Sequence, residues 1–339
     1  MIESNRSLFF SSKPSISACA SIAGPKEGKG PLGNFFDVIL EEDLLGQISW
    51  EMGESEMLRR TAELCCEKGN LSIANVDAFL SGDLNNQIIA STFAARALET
   101  PFFGIYGACS TFVESLLLGA MMVDGGYRNN VLCAASSHFC TAERQFRYPL
   151  ELGTQRPPSA QWTATAAGAV LIDCNTESSI AHISSGTIGK VVDRHIKDAN
   201  HMGAAMAPAV CDTICAHFKG TNTSHEDYDL IATGDLGWIG RNILMELLKE
   251  RNMKIPDEKL IDCGASMYYA EQDTHAGGSG AGCIASVTCA KLLQEINNGT
   301  NKRILIVGSG ALLSWTSSQQ GESIPGIAYA AVLEGKTNG

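Results

Sequence analysis

The amino-acid sequence predicts an α/β protein in which two similar halves share one core. Two observations lead to this prediction. Three sequence blocks occur twice in the same order, and the predicted strands are continuous apolar runs, as expected for strands that are buried on both faces. The chain has 339 residues, of which 34 are glycine and 7% are aromatic. This composition suits a tightly packed α/β protein with close turns better than a β-sandwich.

Each repeated block lies at a similar distance from its counterpart along the chain. The separations are 152, 173 and 162 residues, which indicates a duplicated unit of about half the chain. The blocks are Ser/Thr-Gly-Asp-Leu at 81–84 and 233–236, Gly-Ala at 107–108 and 280–281, and Ala-Val-Leu at 169–171 and 331–333. We therefore expect a first half at 1–176 and a second half at 177–339, joined in a polar stretch.

The same elements are predicted in both halves. A buried strand ends at the Ser/Thr-Gly-Asp-Leu block, a Gly-rich turn opens a helix, a polar turn follows, and another apolar strand comes next. Helices are predicted at 51–68, 109–123, 240–251 and 282–296, and two of the strands at 131–135 and 229–233. Because strands buried on both faces need helices on both sides, we expect two α/β halves fused through their sheets, with helices between and outside them.

The charge balance excludes one broad class of function. With 37 acidic and 25 basic residues the net charge is −12, whereas a general nucleic-acid binder needs a basic face. From the sequence we expect neither a secretory leader nor a membrane-spanning segment, which requires ~20 apolar residues. The twelve cysteines contain no Cys-x-x-Cys pair. They are expected to be reduced thiols, most of them small buried residues.

Cys109 differs from the other cysteines in its setting. It follows an apolar segment and a Gly-Ala turn, and the apolar positions of the predicted helix at 109–123 begin directly after it. A thiol at a helix N-terminus faces unpaired N–H groups that lower its pKa. The position therefore suits a nucleophile, although a small residue placed in a crowded turn would give the same pattern.

Several motifs together resemble those of the thiolase superfamily. They are Gly107-Ala-Cys109, the Gly-rich turn at 277–282 and the Gly-Ser-Gly-Ala-Leu loop at 308–312. The nearest enzymes would be of the ketoacyl synthase III type, but the whole chain is most similar to the stage V sporulation protein AD family. The motifs that carry this closer likeness include Gly-Pro-Lys-Glu at 24–27, Gly-Pro-Leu-Gly at 30–33, Ser-Trp-Glu-Met at 49–52 and Ala-Glu-Arg-Gln-Phe-Arg-Tyr-Pro at 142–149.

The resemblance implies a thiolase-like fold, in which the duplicated α/β halves form a five-layer αβαβα sandwich. Condensing enzymes of this superfamily use a Cys together with a His and an Asn or a second His. Their His follows the buried strand of the second half, but here the strand at 229–233 runs into Gly-Asp-Leu. Their Asn opens the next Gly-rich helix start, but here the turn at 277–279 reads Gly-Gly-Ser. A Cys without these partners is a poor condensing catalyst. We predict a non-catalytic protein with a vestigial nucleophile at Cys109. The alternative is an active acyltransferase or condensing enzyme that uses Cys109, with His275 nearby.

The resemblance also supplies a ligand for the pocket, namely dipicolinate (pyridine-2,6-dicarboxylate), alone or as its calcium chelate. Arg144 and Arg147 would pair with its carboxylates, unless they pair with glutamates of their own segment. Asp83 and Asp235 would offer oxygens to calcium, unless they cap the turns that follow them. No metal site or cofactor of the protein's own is predicted. The candidate ligand-binding residues are Cys109, Asp83, His138, Arg144, Arg147, Lys190, Asp235, Gly278 and Ser279.

A place of action and partners follow from the same resemblance. A member of this family would serve dipicolinate uptake into the forespore during sporulation and dipicolinate release in germination. It would lie on the cytoplasmic side of the developing spore, peripheral on the spore inner membrane and held by membrane-spanning proteins of the same sporulation system. Because thiolase-type folds usually pair through the edge of the first half's sheet, we expect a homodimer. The remaining alternative is a purely structural subunit with a vestigial pocket.

Overall fold

The continuous apolar segments of the sequence form the strands of one large sheet. The computed structural model describes residues 6–146, 156–175 and 179–336. Its strands, in chain order, are β1 (Ser7–Phe9), β2 (Ser15–Ala23), β3 (Val38–Ile39), β4 (Ala78–Gly82), β5 (Phe102–Gly104), β6 (Val131–Ser137), β7 (Trp162–Thr163), β8 (Ala166–Asp173), β9 (Ala181–Thr187), β10 (Leu230–Thr233), β11 (Leu260–Asp262), β12 (Gly278–Ser279), β13 (Arg303–Ala311) and β14 (Gly326–Glu334). Twelve of them join the sheet, and β7 pairs with β12 separately.

Two sets of five strands within this sheet have the same order. The first set runs β5-β4-β6-β8-β2 and the second runs β11-β10-β13-β14-β9. In both sets the first three strands are parallel and the last two are antiparallel to their neighbours. The sets meet where β2 pairs with β9. The predicted duplication is therefore present in the topology, whereas the predicted boundary at 176 and 177 lies outside the described residues.

Helices cover both outer faces of the sheet and fill the space between its two sets of strands. The helices, in chain order, are α1 (Pro25–Gly28), α2 (Trp50–Lys68), α3 (Ile89–Leu98), α4 (Thr111–Asp124), α5 (Phe139–Phe146), α6 (Met202–Thr221), α7 (Gly237–Glu250), α8 (Cys263–Ser266), α9 (Ala281–Val287), α10 (Leu293–Asn297) and α11 (Trp315–Gln319). The pair α2 and α3 packs outside the first set, the pair α6 and α7 outside the second, and α4 lies between them against β6 and β13. The predicted αβαβα order is confirmed.

The central helices are apolar on most of their surface because they are covered by a sheet on two sides. In α4, Phe112, Val113 and Leu116 are fully buried. The second central helix, α9, lies so close to the first set of strands that a side chain on Gly282 would place its Cβ 2.0 Å from the carbonyl oxygen of Ala166. The Gly-rich turn before α9 therefore serves close packing as well as helix initiation.

Two predicted helices differ in detail from the structure. Cys109 lies two residues before α4 rather than in its first turn, because the hydroxyl of Thr111 accepts from the Gly107 N–H and donates to the Ala108 carbonyl. This closes a tight turn in which Ala108 has a φ of 51°. The helix predicted at 282–296 is divided into α9, a π-helical turn at Thr288–Leu292, and α10.

Two expectations about the whole chain can be compared with the described residues. None of the helices in this part of the chain has the length and apolarity that a membrane crossing requires. All twelve cysteines are free thiols, and most of them are buried.

The central layer should dominate the stability of the fold. We expect Leu116→Ala to lower the free energy of unfolding by about 2–5 kcal/mol, because it removes a fully buried side chain from a layer with sheets on both sides. Leu118→Ala, on the same helix but 36% exposed, is the matched control and should cost less than half as much. Urea unfolding followed by circular dichroism measures both. Equal losses would contradict the central position of Leu116.

Candidate functional site

A small cavity lies beside Cys109, where the two halves meet. It has a volume of about 20 Å³, which is room for about one water molecule. We call it the inner cavity, and it is lined by Leu84, Ala108, Cys109, Phe146, Thr163, Met202, Ser279, Ala311 and Leu313. The lining comes from both halves of the chain, for example from Leu84 after β4 in the first half and from Ala311 at the end of β13 in the second.

Asp235 is the acidic partner of Cys109. It follows β10 and adjoins the Cys109 thiol, and its carboxylate accepts hydrogen bonds from the Gly280 N–H at 3.0 Å and from the Ser309 hydroxyl at 2.9 Å. The Ser279 side chain is also a neighbour of Cys109 in the lining of the inner cavity. The structure therefore brings together three of the predicted site residues, namely Cys109, Asp235 and Ser279.

This arrangement keeps the Cys109 thiol protonated. Burial and the neighbouring Asp235 carboxylate both raise the pKa of Cys109 well above its ordinary value. Burial also raises the pKa of Asp235 to about 6, although the Gly280 N–H and the Cys109 thiol oppose this shift. The expectation that a helix N-terminus activates Cys109 is therefore wrong, because the thiol lies before the helix and faces a carboxylate.

The backbone N–H groups at the start of α9 already have acceptors within the protein. The N–H of Gly280 donates to Asp235, and the N–H of Gly282 donates to the Ser137 hydroxyl at 3.1 Å. Neither group is therefore free to bind an anion. Gly278 contributes only its carbonyl oxygen, which accepts from the Gln161 amide at 2.9 Å.

A larger cleft opens next to the inner cavity. Its volume is about 480 Å³, within the usual range of ~300–1,000 Å³ for ligand pockets. We call it the outer cleft, and it is lined by Asn85, Asn86, Gln87, Ile88, Tyr106, Gln145, Phe146, Leu312, Leu313, Ser314, Trp315 and Thr316. Phe146 and Leu313 line both spaces, so these two side chains separate the outer cleft from Cys109.

The chemistry of the outer cleft is aromatic and amide-rich. Trp315 and Tyr106 supply ring faces, while Asn85, Asn86 and Gln145 supply side-chain amides that both donate and accept hydrogen bonds. Among the described residues, no charged side chain belongs to this lining. A flat, polar ring compound suits these groups better than an extended acyl chain does.

One wall of the outer cleft has a strained backbone. Gln87 and Ile88 have φ values of 55° and 47°, a region that a β-branched residue such as Ile rarely adopts. The carboxylate of Asp83 holds this segment by accepting from the N–H groups of Asn85 at 2.8 Å and Ser91 at 2.7 Å. Asp83 therefore caps the turn after its strand, which was the structural alternative to calcium binding.

His138, Arg144 and Lys190 belong to neither lining. His138 is buried, with Nε2 3.0 Å from the Asp43 carbonyl oxygen and Nδ1 accepting from the Cys140 N–H. The guanidinium of Arg144 forms an ion pair with Glu51 on α2. The exposed Lys190 pairs with Asp212 at 2.9 Å. Arg147 lies outside the described residues.

His275, the imidazole proposed for an active enzyme, also lies outside both linings. Its Nδ1 is 2.8 Å from the Pro157 carbonyl oxygen and its Nε2 is 3.1 Å from Asp273. The position facing Cys109 is occupied by Asp235 instead. Gly278 leaves little room for a larger residue, since a Cβ there would lie 3.1 Å from the Tyr268 ring.

Comparison with known proteins identifies the family. A sequence model of stage V sporulation protein AD (SpoVAD) matches residues 4–334. The stage V sporulation protein AD of Bacillus subtilis (strain 168) is 44% identical over 319 residues, which cover 94% of this chain and 94% of that protein. The chain belongs to the SpoVAD family. Its membership gives it a role in sporulation and confirms the resemblance drawn from the sequence motifs.

Solved structures confirm the fold of this SpoVAD family member. Human mitochondrial 3-ketoacyl-CoA thiolase in complex with CoA is similar with a TM-score of 0.63 and 13% identity, covering 98% of this chain and 100% of that chain. The 3-oxoacyl-[acyl-carrier-protein] synthase III of Aquifex aeolicus VF5 is similar with a TM-score of 0.54 and 14% identity, covering 95% and 99%. At these identities the likeness concerns the thiolase-like fold alone.

Sequence reasoning did not find the outer cleft. Its residues come from four separate segments, after β4, after β5, in α5 and after β13. The Gly-Ser-Gly-Ala-Leu loop at 308–312 was noted for its glycines, but Trp315 three residues later was not. A lone Trp after a strand end in a chain with only four Trp was the available signal.

The thiol of Cys109 should gain reactivity when its acidic neighbour is neutralised. We expect Asp235→Asn to speed alkylation of Cys109 by iodoacetamide at pH 8 about tenfold, because a neutral neighbour lowers the thiol pKa and raises the thiolate fraction. Peptide mass mapping measures the rate, with the exposed Cys174 as internal reference.

Ser309→Ala is the matched control, since it removes a neutral hydrogen-bond donor from the same carboxylate. Its Cys109 should stay as slow as in the wild type. Alkylation of wild-type Cys109 as fast as Cys174 would show that Asp235 does not suppress the thiolate.

Proposed function

We propose that this SpoVAD family member is a non-catalytic binding protein for dipicolinate, free or as its calcium chelate. It would act in dipicolinate uptake into the forespore during sporulation and in dipicolinate release during germination. The observation that carries the non-catalytic part of the proposal is the position of the Asp235 carboxylate beside the buried Cys109 thiol. The outer cleft supports the binding part.

A condensing enzyme needs a thiolate and a base or donor beside it. Here the pKa of Cys109 is raised by burial and by Asp235, so that ionisation would place two negative charges side by side in a buried site. No imidazole belongs to the lining of either space among the described residues. The inner cavity, at about 20 Å³, has no room for an acyl group on Cys109.

The outer cleft suits a planar ring that carries carboxylates. A pyridine ring would stack on Trp315 or Tyr106, and its carboxylates would accept hydrogen bonds from the amides of Asn86 and Gln145. The calcium chelate, in which the metal balances the carboxylate charge, would need no cationic side chain in the cleft. The free dianion would depend more on positive charge close by.

The place of action and the partners are part of the same proposal. The protein would lie peripherally on the cytoplasmic side of the spore inner membrane, held by membrane-spanning proteins of the same sporulation system. It would pair with a second copy through β5, which is an edge strand of the sheet. Phe103 on this strand is 52% exposed. An exposed apolar side chain on an unpaired strand edge is a common feature of such contacts.

Calorimetry with dipicolinate, with and without calcium, tests the binding proposal. We expect wild-type protein to bind and Trp315→Ala to weaken binding about tenfold, because the variant loses a stacking surface of the outer cleft. Trp238→Ala, an exposed Trp of α7 outside both linings, is the matched control and should titrate as the wild type does. Absence of binding heat both with and without calcium would contradict the binding proposal. It would favour the alternative of a purely structural subunit with a vestigial pocket.

Incubation with acyl-CoA tests the alternative, which is favoured by the retained Cys109 and the enzyme-like fold. We expect intact-mass measurement to show no acyl adduct on the wild-type protein, since its thiol is protonated and has no space for the acyl group. The same measurement on Cys109→Ala is the control. An adduct in the wild type that disappears in Cys109→Ala would establish an active acyltransferase instead.

A further inference from the structure

A buried carboxyl group lies behind the outer cleft without lining it. Glu54 is on α2, the helix that covers the outer face of the first set of strands, and its exposed fraction is 0%. A buried carboxyl group is costly unless hydrogen bonds compensate for the lost hydration. The hydrogen-bond partners of Glu54 therefore indicate which segments this buried carboxyl group holds in place.

Glu54 contacts three separate segments of the chain. Its Oε2 accepts from the Asn85 amide at 2.9 Å and lies 2.8 Å from the Thr141 hydroxyl, while its Oε1 is 3.1 Å from the Ser136 hydroxyl. Asn85 follows β4, Ser136 lies near the end of β6, and Thr141 is in the first turn of α5. One side chain thus joins the ends of two strands to the start of a helix.

Two of these segments contribute to the wall of the outer cleft. The segment after β4 contributes Asn85 and its neighbours up to Ile88, and α5 contributes Gln145 and Phe146. The two parts also meet directly where the Gln145 amide donates to Asn86 Oδ1 at 2.8 Å. Glu54 lies beneath both parts, so its contacts fix how far apart they stand.

The neighbourhood of Glu54 favours its neutral form. Asp83 is its charged neighbour, and Asn85 donates to both groups, through its side chain to Glu54 and through its N–H to Asp83. Burial and the Asp83 charge raise the pKa of Glu54 to about 8. A protonated Glu54 can donate to the Thr141 hydroxyl. That hydroxyl then donates to the His138 carbonyl oxygen, which lies 3.0 Å from Thr141 Oγ1.

We propose that Glu54 is a positioning residue of the outer cleft, whose carboxyl group holds the segment after β4 and helix α5 at the separation that the ligand requires. The ligand part of this inference rests on the proposed function, whereas the positioning part concerns the free protein. Glu54 lines neither space and would not touch the ligand itself. It acts through Asn85 on one wall and through Thr141 on the other.

Two substitutions of similar size separate hydrogen bonding from packing. Glu54→Gln keeps an oxygen for Asn85 and Thr141 and turns its NH₂ group to the Ser136 hydroxyl, so all three contacts persist. Glu54→Leu fills the space but leaves these polar groups without their partner. Glu56→Leu is the matched control, because Glu56 is on the same helix and pairs at the surface with Arg59 and Arg60.

Hydrogen exchange of the free proteins, followed by mass spectrometry, is the first measurement. We expect Glu54→Leu to speed exchange in peptides covering 85–91 and 139–146 about tenfold, with α7 unchanged. Glu54→Gln and Glu56→Leu should exchange as the wild type does. Unchanged exchange at 85–91, or equal acceleration in α7, would overturn the positioning role.

Calorimetry with the calcium chelate of dipicolinate is the second measurement. We expect Glu54→Leu to weaken binding at least tenfold and Glu54→Gln to stay within about threefold of the wild type. Wild-type binding that survives unchanged in Glu54→Leu would overturn the inference for the ligand. If the wild type itself does not bind, the proposed function is wrong. The exchange measurement still decides whether Glu54 positions the segment after β4 and helix α5.

Discussion

The structure depends on one constraint, namely that two sets of strands share a single central layer of helices. A helix with a sheet on each side must be apolar almost all round, as α4 is, and must approach the strands closely, as α9 does at Gly282. Sharing the layer also brings the ends of corresponding strands in both halves to one edge. Cys109 from the first half and Asp235 from the second meet at that edge for this reason.

The meeting of Cys109 and Asp235 sets the chemical character of the site. In a buried site a thiol beside a carboxylate stays protonated, because its ionisation would add a second negative charge where water cannot screen it. The same carboxylate accepts a hydrogen bond from the Gly280 N–H, which would otherwise be free at the start of α9. A fold shared with condensing enzymes thus holds a site whose groups satisfy one another, and the open space lies outside it, in the outer cleft.

Several buried carboxyl groups at this edge hold the neighbouring loops in place through hydrogen bonds. Asp83 holds the segment after β4, Glu54 joins that segment to α5, and Asp262 accepts from the N–H groups of Leu236 and Gly237 at the start of α7. Each has a raised pKa because of burial, and each is compensated by several donors. Each of these carboxyl groups therefore holds neighbouring segments together through its hydrogen bonds.

The sequence by itself determined the duplication, the main strands and helices and the family. These follow from local patterns, such as continuous apolar runs and the repeated Ser/Thr-Gly-Asp-Leu block, and from motifs that stay together along the chain. It also indicated Cys109, whose turn has a local signature, and the missing His and Asn.

Only the tertiary structure decided which groups meet. Asp235 faces Cys109 from 126 residues away along the sequence, Arg144 pairs with Glu51 of α2, and Trp315 lines the same cleft as Asn86. Such contacts are set by the order of strands in the sheet and by the packing of helices on it. A local pattern contains neither, so the composition of a cleft between distant segments becomes visible only when the chain is folded.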